Sequence, residues 1–165
     1  MDREHPDEQR EKVAALVGKF GTAMLTTVGE GGRLVSRPMT PLGDRFDGRF
    51  VFATEIDNPA VAELHLQPQA NLSMMHEGDN HFLSASGRAR VDTDRALIAR
   101  SWSPALDAFF KGGKDDPRVC LIVVEVDEAA YWDGPGNMLT KLAYFATVAV
   151  TGDHGAMSDS GNVRM

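Results

Sequence analysis

The chain has 165 residues, 42% apolar and 25% charged, which fits one globular domain with a real core. Seventeen basic against 24 acidic residues leave a formal charge of -7, so neither nucleic acid nor an anionic membrane is expected as the main partner, since both need a basic footprint. No stretch approaches the ~18 apolar residues of a membrane span, and the charged N-terminus lacks an apolar signal core, so a cytoplasmic location is expected.

Residues 7–19 read as an amphipathic helix with Val13, Leu16, Val17 and then Phe20 on one face. A hairpin follows. Its first arm is residues 20–28, the glycine-rich loop is Gly29-Glu30-Gly31-Gly32, and the second arm runs from Arg33 through Ser36-Arg37-Pro38-Met39-Thr40. Residues 49–54 form a third strand. Asn58 as N-cap with Pro59 at the first helical position starts a short helix over residues 60–66, which stops before Pro68. Residues 71–76 and 82–91 read as two further strands around a polar loop. Asp92 or Asp94 caps a helix over residues 95–102 that Ser103-Pro104 interrupts.

The run 119–126 is almost wholly apolar and β-branched, the pattern of a strand buried on both faces. Cys120 lies inside it and reads as an inert buried thiol; as the sole cysteine it rules out an internal disulfide. A separate short strand is expected over residues 129–132, ended by Asp133-Gly134-Pro135-Gly136, then a helix over residues 139–150 and a polar tail over residues 151–165. Six or seven short strands with flanking helices and no βαβ alternation indicate a mainly β (α+β) fold: a closed antiparallel barrel in a single domain, with helices outside.

Ser36-Arg37-Pro38-Met39-Thr40 carries the most chemistry. Pro38 cannot donate to a sheet ladder, so its strand is an edge or bulged strand with backbone groups free for another partner. Arg37 beside such an edge suits a phosphate or a planar heteroaromatic ring, the alternative being a guanidinium that reaches into solvent. Other patterns carry less. Gly29-Glu30-Gly31-Gly32 joins two strands and lacks the third glycine of a dinucleotide fingerprint. Gly112-Gly113-Lys114-Asp115 has Asp115 where a phosphate-binding loop needs Ser or Thr, and reads as a surface turn. His76, Glu77, Asp79 and His81 match no trusted ligand spacing, so a solvated loop is expected and no metal. Tyr131-Trp132 at a strand end fits a core or interface anchor, and Trp132 can also flank a flat ligand.

The ordered set Leu25-Thr26-Thr27, Ser36-Arg37-Pro38-Met39-Thr40, Phe52-Ala53-Thr54, Gly87-Arg88-Ala89-Arg90-Val91, Trp102-Ser103-Pro104-Ala105 and Tyr131-Trp132-Asp133-Gly134 resembles the FMN-binding split barrels of the pyridoxamine 5′-phosphate oxidase superfamily, in particular its general stress protein branch. The resemblance implies a homodimer holding flavin in two clefts between subunits. Arg37 and Thr54 would meet the FMN phosphate, Pro38, Met39 and Thr40 would run beside the isoalloxazine edge, and Trp132 would approach from the other subunit. It also implies a flavin-dependent oxidoreductase with an unknown small-molecule redox substrate and no catalytic side chain that the residues name. The alternatives are a non-catalytic flavin binder, a dimer without cofactor, and a deazaflavin-dependent reductase; FAD could replace FMN. Two departures qualify the picture. Ala60 stands where the family places a basic phosphate ligand, so weaker flavin binding is expected. Leu42 and Met138-Leu139-Thr140 replace the oxidase's substrate-binding residues, so oxidation of pyridoxamine phosphate is not expected.

Overall fold

A computed structural model of the chain describes residues 6–43, 45–134 and 159–165. Its strands are β1 (Ala23–Val28), β2 (Leu34–Met39), β3 (Arg49–Glu55), β4 (Gln69–His76), β5 (His81–Asp92), β6 (Val119–Asp133) and β7 (Asp159–Arg164). They form one antiparallel sheet in the order β2-β1-β4-β5-β6-β3, with β7 also on β6. The sheet curls until its two ends meet, where Leu42, just beyond β2, bridges Val51 of β3. The result is the split barrel expected from the sequence.

Alternation sets inside from outside. Ala23 and Leu25 of β1, Phe50 and Phe52 of β3, Leu72 and Met74 of β4, and Leu83 and Ala85 of β5 fill the barrel interior. Helix α1 (Pro6–Val17) adds Val13 and Leu16 to this core, and Phe20 follows them. Helix α2 (Pro59–Leu66) starts as the sequence requires. The Asn58 side chain accepts from the Ala60 N–H at 3.0 Å, Pro59 occupies the first turn, and Gln67 before Pro68 is already extended. Ala60 and Leu64 turn inward and close the barrel beside β1 and β5.

A second, smaller core lies outside the barrel. Val119, Leu121 and Val123 of β6 point away from the interior and are covered by Ile98 of helix α3 (Arg95–Ser101), with Trp102, Phe110, Val51 and Leu42 around them. Fully burying a side chain such as Ile98 stabilises by about 1.5–3 kcal/mol. Of the two candidate caps for α3 the structure selects Asp94, which accepts from the N–H groups of Ala96 and Leu97, while Asp92 accepts from the Asp94 N–H. Two short 3-10 turns, Pro104–Ala108 and Gly113–Asp115, finish this layer.

The end of the chain departs from the sequence expectation in two places. Residues 119–126 and 129–132 are not two strands but parts of the single 15-residue β6. The break read at Asp127-Glu128 is a β-bulge: Ser86 faces Glu128 while Gly87 faces Val126, leaving Asp127 as the extra residue. The expected polar tail contains β7, antiparallel to the second half of β6, with Val163 buried in the main core. Alternation of small and polar residues in Asp159-Ser160-Gly161-Asn162-Val163-Arg164 hid a strand whose Gly161 lies against the Tyr131 ring. The helix expected over residues 139–150 lies outside the described residues.

Gly87 is required by close approach. A Cβ there would stand 1.9 Å from the Glu125 carbonyl oxygen, and backbone cannot yield as a flexible side chain can. Gly87→Ala is expected to lower stability by about 1–3 kcal/mol, the range for overpacking, read by chemical denaturation; an unchanged midpoint would mean the bulge is looser than described.

Candidate functional site

Arg37 is not a solvent-reaching guanidinium. Val35, Arg37 and Met39 share the less exposed side of β2, and the Arg37 side chain is only 16% exposed. Its Nη1 donates to Thr27 Oγ1 at 2.6 Å and its Nη2 to Glu63 Oε2 at 2.6 Å; the Thr27 hydroxyl in turn donates to Glu63 Oε2 at 2.5 Å. Three elements thus close a ring of hydrogen bonds: β1 through Thr27, β2 through Arg37 and α2 through Glu63. Sequence reading missed Glu63 because its partner is 26 residues away in the chain.

Burial of the Glu63 carboxyl works to raise its pKa, but the hydrogen bonds from Thr27 and Arg37, with the charges of Arg37 and Arg33, outweigh it and hold the group below the ordinary value of 4.5. The linkage sign follows. A carboxyl depressed in the folded state contributes stability that is complete above 4.5 and is lost as pH falls through its folded value. Glu63→Gln should therefore cost stability at neutral pH, and that difference from the parent should shrink on acidification, as measured by urea denaturation across pH. Arg37→Ala, which leaves the half-buried carboxylate without its cation, should cost about 1.5–3 kcal/mol, the range for a hydrogen bond to a charged group. A loss no greater than that of an exposed pair would contradict the closed network.

The other residues singled out by sequence are distributed around this network. Thr54 is buried on the interior side of β3 opposite Cys120, and it is not among the acceptors of the Arg37 terminal nitrogens. Ala60 is fully buried in the core, so position 60 does not open onto a free site in this chain, and the Ala60 N–H is already taken by Asn58. Burial pushes the Cys120 thiol up, as an inert buried cysteine requires.

Pro38, Met39 and Thr40 sit together on one wall of a 340 Å³ cavity, whose other wall is built by Ala105, Leu106, Phe109 and Phe110. Trp132 lies elsewhere. Cross-strand pairs place Pro38, Met24, Ser73, Ser84 and Ala130 in one row on the outer face of the sheet, and Met75, Phe82 and Trp132 in the next. Trp132 and Met75 are 46% and 59% exposed, and with Met24 and Phe82 they line a shallow cavity of 400 Å³. Within one chain, Trp132 and Pro38 share the outer face, but Trp132 lines a different cavity from Pro38, Met39 and Thr40.

The His76–His81 segment differs from the solvated loop expected. The two residues are cross-strand partners at the tip of the β4–β5 hairpin, and His81 is buried, its Nε2 2.6 Å from Asp133 Oδ1. Among the described residues its Nδ1 has no hydrogen-bond partner, and Asp79 Oδ2 lies 4.0 Å away. Among the described residues no group of three or more His, Cys, Asp and Glu is arranged to hold a metal ion.

Comparison with known proteins decides the family. The model of the family described as "Pyridoxamine 5'-phosphate oxidase like" matches residues 8–155. The chain belongs to that family. It is 28% identical over 163 residues to protein bli-3 of Neurospora crassa, covering 92% of this chain and 78% of that protein. The crystal structure of the general stress FMN/FAD binding protein from Xanthomonas citri is 33% identical, with a TM-score of 0.68, covering 80% of this chain and 93% of that one. General stress protein 26 from Bacillus anthracis shares the fold at 20% identity and a TM-score of 0.66, covering 75% of this chain and 93% of that one.

Proposed function

We propose that this protein binds a flavin, as FMN, and serves as a flavin-dependent oxidoreductase. The observation that carries the reading is the pre-oriented Arg37 at the head of an exposed strand edge, in a family whose 33% identical member from Xanthomonas citri is an FMN/FAD binding protein. A guanidinium has five N–H donors, and the bonds to Thr27 and Glu63 use two of them, so donors remain for a phosphate oxygen. The backbone edge of Pro38, Met39 and Thr40, next to Arg37 along β2, suits the polar edge of a flat ring system. The residues fit the group.

A bound flavin supplies the electron-transfer chemistry; the chain's own residues bind and orient it. Arg37 would anchor the phosphate, with its direction fixed from β1 by Thr27 and from α2 by Glu63. Residues 38–40 would present backbone groups to the polar edge of the ring, since Pro38 keeps that edge from completing a ladder. Thr54 and Trp132 are the further contacts proposed, the second across a homodimer interface. Because Ala60 is buried and apolar, no second side-chain cation is proposed for the phosphate, and modest affinity is expected.

The test compares FMN with riboflavin, which differ by the phosphate alone, so that effects on folding cancel in the ratio. Arg37→Lys keeps a charge but loses the planar fork, and it should shift the preference for FMN by about tenfold, equivalent to roughly 1.4 kcal/mol. An unchanged ratio would remove Arg37 from the phosphate site. Failure of the parent protein to bind either flavin would end the reading altogether.

The dimer has its own support. Met24, Met75 and Trp132 form an exposed apolar face on a charged, soluble type of surface, and burying it against a second copy would remove it from water. Analytical ultracentrifugation at micromolar concentration is expected to show a dimer, and Met75→Glu combined with Trp132→Glu a monomer. A monomeric parent protein would refute the shared cleft.

A further inference from the structure

The 340 Å³ cavity beside Pro38, Met39 and Thr40 has a property that the flavin reading does not require: among the described residues, none that lines it is charged. Its polar side chains are three hydroxyls, those of Thr40, Ser101 and Ser103. Ser103 stands at the N-cap position of the Pro104–Ala108 turn yet makes no capping bond, so among the described residues its hydroxyl remains available to a ligand. Beyond these, the walls are apolar: Leu42 and Ala53 from the barrel seam, and Leu106, Phe109 and Phe110 from the covering layer.

This wall is held in place. The Phe110 ring packs on Trp102 at 5.7 Å between centroids, and the Trp102 indole N–H donates to Asp107 at 3.0 Å, pinning the 3-10 turn against the second core. Phe109, by contrast, is 77% exposed at the mouth of the cavity. A large aromatic side chain left in water at the rim of an uncharged cavity is unexplained by the packing of the fold, and it would gain burial by closing on a flat ligand. The volume is near the lower limit for small-molecule sites, enough for one or two rings.

We propose that this cavity binds an uncharged, flat, largely apolar molecule bearing a hydrogen-bonding oxygen, and that this is the substrate class of the site, the second half of the statement resting on the flavin reading. Charge excludes the alternatives. A phosphorylated or carboxylated substrate would be desolvated against Leu42, Ala53 and Leu106 with no cation among the described lining residues to meet it, which is costly for an ionised group. Apolar rings lose nothing there, and the Ser and Thr hydroxyls offer donors to a carbonyl or acceptors to a hydroxyl.

The two tryptophans make the test direct. In a Trp132→Phe protein only Trp102 remains, packed on Phe110 at the wall of the cavity. Naphthoquinone, an uncharged bicyclic probe, is expected to quench Trp102 fluorescence saturably in flavin-free protein. Ala105→Arg and Phe109→Ser, both at exposed positions that leave the core intact, should each weaken that binding by about tenfold or more, the first by crowding the cavity with a cation and the second by removing apolar contact. Naphthoquinone sulfonate should bind the parent at least ~10-fold more weakly than naphthoquinone, and calorimetry should show naphthoquinone and FMN bound together. Equal affinity in all variants, equal affinity for the sulfonate, or displacement of naphthoquinone by FMN would each overturn the assignment; the last would make the cavity the seat of the flavin ring itself. Naphthoquinone binding with these variant effects in a protein that takes up no flavin would uphold the ligand site and defeat the flavin reading instead.

Discussion

The first half of β6 must be kept dry on both faces, and most of the architecture answers that demand. Cys120, Ile122 and Val124 point into the barrel while Val119, Leu121 and Val123 point out of it, and all are buried. A strand of this kind cannot lie at the surface of a sheet with one solvated side. The barrel interior covers one face. Helix α3, Trp102 and Phe110 cover the other, and this is why the chain interrupts its meander of strands with residues 93–118. The same strand also organises the sheet by pairing with β5 along most of its length, with β3 at its start and β7 at its end. The bulge at Asp127 marks where its surroundings change: beyond it Ala129 and Tyr131 still face the core, but Trp132 faces outward uncovered.

The uncharged cavity is a by-product of that cover. The layer that shields Leu121 and Val123 has to meet the barrel where it is least regular, at the Leu42–Val51 closure, and the mismatch leaves a space between them. Its walls inherit the apolar character of the second core. The site proposed for ligand and the packing that supports β6 are therefore one structural feature, which couples function to stability: enlarging the cavity would also loosen the cover of the strand.

Arg37 obeys a different constraint. A half-buried guanidinium needs acceptors, and β2 as an edge strand supplies none from a neighbouring ladder. Thr27 across the hairpin and Glu63 on α2 fill the gap, and the resulting ring ties the hairpin to the helix that closes the barrel. Such a pair contributes less to net stability than its distances suggest, because both charges were desolvated to form it. What it provides is direction. An arginine fixed at two nitrogens can offer the remaining donors to a ligand without losing much side-chain entropy on binding.

Local signals in the sequence determined the elements themselves. Asn58-Pro59 dictated the start of α2, Pro68 its end, Pro38 the edge character of β2, and the run from Val119 to Val126 a doubly buried strand, because capping, proline geometry and hydrophobic period act over a few residues. The ordered motifs also pointed to the split barrel and its family. The sequence did not reveal that residues 119–133 are continuous, since a bulge reads as a break when only the chain itself is seen, nor that Asp159–Arg164 is a strand, since its pairing with β6 rather than its own composition makes it one. It placed Arg37 but not Glu63, and it treated His81 as solvated when β5 and β6 bury it beside Asp133. Ala60 could be read as a lost cation from sequence; only packing showed that it belongs to the core. These outcomes depend on contacts between residues far apart in the chain, whose energies exist only once the sheet has closed, and no local pattern encodes them.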